Sequence, residues 1–198
     1  MHVYFLCGKI GIIYKILKWG KFMRAENKEV FFKFLNKEIS TEYFENWLYQ
    51  NENLENDLSV YEYMDFLSIK YKNDEKAVLY VSDLFFTIVD SDEFEDYKLL
   101  RLLNQALKNK ESLEMFLRCS YDLYCYDNQE FTKLGMNYGI DLVIYEGYLE
   151  YPPPQGWDIN TGKRVFTIAE RIDIYREILR IKKLFDSGKL RVNYEYKW

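Results

Sequence analysis

Apolar residues recur at helical spacing along most of this chain. Val30, Phe31, Phe34 and Leu35 form the first such group. Ser40 and Thr41 read as caps, with Phe44, Trp47 and Leu48 on the apolar stripe behind them. Val60, Tyr61, Met64 and Leu67 give another stripe, followed by a short extended piece over 68–72. Asp74 caps a helix carrying Val78, Val81, Leu84, Phe85 and Ile88. The stretch Asp90 to Asp96 opens the next helix, with Tyr97, Leu100, Leu103 and Leu107 on one face. Ser112 is the expected cap of a helix through Leu113, Phe116, Leu117 and Tyr124. Between 135 and 164 the pattern breaks, with five glycines and the run Pro152, Pro153, Pro154, so a long irregular loop is expected. A last helix spans about Thr167 to Ser187, with Ile168, Ile172, Tyr175, Leu179 and Ile181 inward, and Gly188 ends it. The tail LRVNYEYK alternates and reads as a short strand.

This pattern predicts a mainly α fold: a single helical domain with a small β element near the C-terminus. No internal repeat appears, and no linker divides residues 23–198. Residues 1–22 stand apart. The segment 3–22 is interrupted by four lysines, which makes it a poor membrane span. It reads as a basic amphipathic helix for a membrane surface, or as sequence upstream of a start at Met23.

Composition changes the picture mainly through what is scarce. The only histidine is His2, and the three cysteines Cys7, Cys119 and Cys125 form no metal or disulfide pattern. A reducing cytoplasm fits them. No glycine-rich phosphate loop and no glycine-flanked serine is present. Binding is therefore a better expectation than catalysis, with no catalytic residue, metal ligand or cofactor assigned. The 19 Tyr and 14 Phe point to an aromatic-rich core, although AT-rich coding also enriches these residues. Net charge is −5, but residues 1–23 hold four lysines and no acids, so the remainder carries 23 bases against 32 acids. A body at −9 repels phosphates and suits a basic protein partner, or serves solubility alone.

Asp90, Asp92, Glu93, Glu95 and Asp96 form the densest acidic cluster. As a calcium loop it fails, since Phe94 holds a ligand position and the turn glycine is missing. It reads either as dipole-complementing acids at a helix start or as a landing patch for a basic partner. Tyr121, Asp122, Tyr124 and Tyr126 lack a nucleophile or metal ligand to complete a catalytic set, so structural roles are expected. The three prolines read as a rigid spacer.

Two stretches go further. ISTEYFENWLYQNENLEN (Ile39 to Asn56) contains FE-x-W-x-Y, and YDLYCYDNQEFTKLGMNYGI (Tyr121 to Ile140) contains YDLYC and LG-x-x-YG, roughly seventy residues on. In order and spacing they resemble a group of small immunity proteins of low-GC Gram-positive bacteria, encoded beside polymorphic toxins. The resemblance spans about Asn27 to Trp198. It implies a cytoplasmic antidote that binds a toxin domain, with Trp47 and the motif tyrosines as core anchors. The expected partner is a cationic toxin, the candidate contacts are the Asp90–Asp96 acids, and neither nucleic acid nor membrane is an expected partner. A membrane-surface protein anchored by residues 3–22 is the alternative.

Overall fold

The computed structural model describes residues 23–72, 74–144, 156–158 and 162–194. The segment 3–22 and the three prolines lie outside these described residues. The fold is mainly α-helical, and its described strands are two residues each. The chain gathers into two compact units, Met1–Ser91 and Asp92–Trp198. No glycine- or proline-rich linker marks that division in the sequence.

In the first unit, α1 (Ala25–Leu35), α2 (Thr41–Gln50), α3 (Leu54–Asp57), α4 (Val60–Ser68) and α5 (Asp74–Phe85) enclose an aromatic core. Phe31 sits at its centre. Its ring stacks on Phe85 at 4.6 Å between centroids and meets Phe44 and Phe66 at 5.2 and 5.1 Å. Such packed rings combine large apolar burial with favourable ring geometry. Ser40 caps α2 by accepting from Tyr43 N, while Thr41 is the first helical residue. Ser59 and Glu62 form a reciprocal capping box at α4.

Two expectations change here. The piece 68–72 is not a strand. Ser68 ends α4, and Tyr71 is buried with its hydroxyl donating to Phe66 O at 2.9 Å. On α4 only Phe66 is buried, whereas Val60, Tyr61 and Met64 are exposed.

The second unit is built on α6 (Ser91–Ala106) and α7 (Lys110–Cys125). Asn109 caps α7 by accepting from Ser112 N at 2.8 Å, so Ser112 is a first-turn residue and not the cap. After a 3₁₀ turn (Gln129–Phe131) come α8 (Thr132–Leu134), a π-helical turn (Gly135–Gly139) and α9 (Ile140–Ile144). Thus the irregular region does not begin at 135. Its first two glycines are helical and serve close packing. A Cβ on Gly135 would stand 2.7 Å from Ser120 O and 2.9 Å from Tyr121 Cα. One on Gly139 would overlap the Leu117 carbonyl oxygen. Only hydrogen at these positions lets the π turn lie directly on α7.

Antiparallel β1 (Trp157–Asp158) and β2 (Lys163–Arg164) pair Trp157 with Arg164. The described tail, 190–194, contains no strand. The small β element is therefore the β1–β2 pair, upstream of the alternating tail. Helix α10 (Ile168–Asp186) starts with a Thr167–Glu170 capping box. It buries Ile174, Ile178 and Ile181 against Leu103, Phe116, Leu117, Phe131 and Leu134. Ile168, Ile172, Tyr175 and Leu179, expected inward, face solvent instead. The helix carries two apolar stripes of identical spacing, and spacing alone does not choose between them.

Candidate functional site

The acidic cluster divides by environment. Asp90, Asp92 and Glu93 are exposed at the opening of α6. Glu95 pairs with Lys98 at 2.8 Å, and Lys98 also lies 5.1 Å over the Phe94 ring. Asp96 turns toward the chain and accepts from Tyr194 OH at 2.8 Å. Burial raises the Asp96 pKa above the usual carboxylate range; the Tyr194 hydrogen bond opposes that rise, and the Asp92, Glu93 and Glu95 charges add to it. Burial beside Asp96 likewise drives the Tyr194 phenol upward. Glu95 and Asp96 thus hold local structure; Asp92 and Glu93 are exposed acids in the first turn of α6.

The first family-like stretch builds one wall of a cleft of about 550 Å³ in the first unit. Arg24, Asn27, Tyr43, Asn46, Trp47, Gln50, Asn51 and Asn53 line it. Trp47 is half-buried, with its ring edge-on to Phe31 at 5.7 Å, so it is both core support and cleft wall.

Beneath the cleft is a polar cluster that no motif announced. Buried Asp57 accepts from Arg24 N at 3.0 Å, Arg24 Nε at 2.9 Å and Asn27 Nδ2 at 2.6 Å. Asn51 Nδ2 donates to Asn27 Oδ1 at 2.7 Å, and the Arg24 guanidinium also donates to Asn53 O. Burial pushes the Asp57 carboxyl up, but the hydrogen bonds from Asn27 and Arg24 outweigh it and leave the pKa lowered. These bonds tie the start of α1 to the turn after α2 and to the end of α3. Asp57 is saturated with donors, which suits a structural clamp and not proton transfer.

The second family-like stretch is also structural. Tyr121 receives the close approach of Gly135 and Gly139. Tyr138 donates to Asp173 Oδ2 at 2.8 Å, and Lys133 Nζ meets Asp173 Oδ1 at 2.7 Å, which pins α8 and the π turn to α10. Burial and the Asp173 carboxylate push the Tyr138 phenol up to about 12. Cys119 is half-buried and Cys125 exposed, and both are free thiols; burial pushes Cys119 up to about 11, which favours its unreactive form. Cys7 lies outside the described residues.

Among the described residues, no group of three or more His, Cys, Asp or Glu side chains is placed to hold a metal ion. None of the described helices is long and apolar enough to cross a membrane. Together these features define a mainly α-helical protein that presents carboxylates, amides and aromatic rings to solvent. No family model, no curated protein and no solved structure matches the chain.

Proposed function

We propose that this chain is a cytoplasmic antidote that neutralises a bacterial toxin domain by binding it, and that it carries no catalysis of its own. The observation that carries the reading is the solvent-facing pair Asp92 and Glu93, with Asp90 beside them, at the α6 N-terminus. A body at −9 outside the first 23 residues adds long-range attraction for a cationic surface. The motif similarity to immunity proteins supplies the partner class. Phe44 of the first motif and Tyr138 of the second are buried, as scaffold residues shared by a family would be, whereas Tyr49 of the first motif, expected as a core anchor, is 55% exposed.

Co-expression with toxin domains encoded beside this chain tests the reading. Protection of the host and a co-purifying complex are expected. In the complex, Asp92→Lys with Glu93→Lys slows association and flattens its salt dependence, because exposed charge acts mostly on the encounter rate. The reversal leaves Asp96 and its Tyr194 bond in place. Absence of both protection and a complex with every neighbouring toxin domain would falsify the proposal. Unchanged association at low salt would remove these two acids from the interface.

A further inference from the structure

Helix α10 carries an apolar stripe that the core does not use. Ile168, Ile172, Tyr175 and Leu179 are 80%, 54%, 38% and 55% exposed. Their spacing is four, three, four, the alternation of paired positions in a heptad. At 100° per residue the four side chains fall within an arc of about 60° and run for about 16 Å. An arc this narrow is a seam for one facing helix. A lipid-inserted face is wider, because it must bury a broad strip of helix in the headgroup boundary.

The flanks of the seam are basic. Arg171 borders one side, and Arg176 and Lys183 border the other. Arg171 Nε donates to Phe166 O at 3.1 Å. The acids of α10 nearest to these positions are engaged elsewhere. Asp173 is held by Lys133 and Tyr138, Glu170 by Arg164 and the Thr167 cap, and Asp186 by Lys182.

This rim selects the occupant. A second copy laid parallel sets Arg171 of one helix against Arg176 of the other, five residues further on. The parallel arrangement juxtaposes cations, which is destabilising across a helix pair. An antiparallel copy that overlaps the whole seam sets Arg171 beside Ile178 and Arg176 beside Ala169, so its cations gain no partner. A facing helix with Asp or Glu at its flanking positions removes that repulsion and pairs each cation.

We propose that the Ile168–Ile172–Tyr175–Leu179 face of α10 is a docking seam for an amphipathic helix of another protein, apolar along its centre and acidic along its edges. The seam is on a different helix from the α6 acids, has the opposite charge, and does not depend on the toxin reading.

The test uses the full chain and a fluorescently labelled four-heptad peptide with Ile and Leu at the paired positions and Glu on the flanks. Two controls replace every flanking Glu by Lys, or scramble the heptad phase at constant composition. Anisotropy should show saturable binding of the acidic peptide, at least about tenfold tighter than either control. Ile172→Asp with Leu179→Asp should abolish it. Arg176→Glu with Lys183→Glu should reverse the preference toward the lysine peptide, while circular dichroism shows wild-type helix content for both variants. The α6 reversal Asp92→Lys with Glu93→Lys should leave peptide binding unchanged. Any of four results overturns the proposal: no binding of the acidic peptide; equal binding of the scrambled peptide; self-association of the chain that Ile172→Asp with Leu179→Asp abolishes, which makes the occupant a second copy; or binding to phosphatidylglycerol vesicles lost in that same variant, which makes it a membrane.

Discussion

Replacing Gly139 by alanine should unfold the second unit at a distinctly lower denaturant concentration. The added Cβ overlaps the Leu117 carbonyl oxygen and stands 3.0 Å from Tyr121 Cβ. The first obstacle is helix backbone, so no rotamer change relieves it. The π turn must move away from α7, which disturbs the packing of Leu134 and Tyr138 and the reach of Tyr138 to Asp173. Overpacking of this kind costs about 3 kcal/mol, at the upper end of the usual range. Alanine returns roughly 1 kcal/mol through better helix propensity and a less flexible unfolded chain. The contact wins, and the net loss is about 2 kcal/mol, which for a unit of this size lowers the melting temperature by about 8–15 °C. Gly188→Ala is the comparator. Gly188 has φ +65° and no atom within 4 Å of an added Cβ, so only the left-handed backbone is penalised, at about 1 kcal/mol. Urea unfolding followed by circular dichroism ranks the variants, and hydrogen exchange of the α7 amides locates the loss. If Gly139→Ala unfolds at the wild-type midpoint, or later than Gly188→Ala, the close approach of the π turn to α7 is not what the glycine serves.

Asp57→Asn should destabilise the first unit by about 2–3 kcal/mol at pH 7, because it removes a buried charged acceptor from three donors. Since the folded carboxyl is lowered, its stabilisation is present above the unfolded value near 3.9 and is lost as pH falls through the folded one. Urea midpoints of wild type and Asp57→Asn should therefore converge in acid, and a constant gap down to pH 2 would refute the linkage. Trp47→Ala should cost about 2 kcal/mol, below the 3–5 kcal/mol typical of a fully buried aromatic, because one side of the indole already faces the cleft. A thermal melt showing the full loss would place Trp47 in the core proper.

Helices were legible in this sequence wherever one apolar arc dominated. Phe44 with Leu48, and Leu113 with Phe116 and Leu117, are buried as their spacing predicts. The failures share a cause. On α10, Ile174, Ile178 and Ile181 repeat the spacing of Ile168, Ile172, Tyr175 and Leu179, and periodicity carries no information about which arc meets the core. On α4, Val60 and Met64 look like core residues and Phe66 alone is buried. Glycine misled in the other direction. Gly135 and Gly139 resemble loop punctuation, but their four-residue spacing is also that of one helix face, and close packing against Tyr121 is what they serve. The acidic cluster was visible as a run of charge. That Asp96 turns inward to Tyr194 was not, since the partner lies 98 residues away. The Asp57 clamp was equally hidden, because Arg24 and Asn27 carry no spacing that announces a partner 30 or more residues on.

Net charge suggests a single kind of partner, whereas the two proposed surfaces carry opposite local charge. Charge averaged over the body is strongly negative, yet the rim of the α10 seam is positive because its neighbouring acids are spent in internal pairs. What an approaching molecule meets at contact is the unspent local charge, while the average matters at distances comparable with the screening length, about 8 Å at physiological salt. The two surfaces should therefore answer salt differently. At the α6 acids, local and overall charge have the same sign, so added salt slows the association of a basic partner steeply. At the α10 seam, the body's field opposes an acidic helix while the rim attracts it. Salt weakens both, so the dependence there should be shallow and the apolar seam should dominate the affinity. A steep salt dependence for the acidic peptide would mean that the rim, and not Ile172 and Leu179, carries the contact.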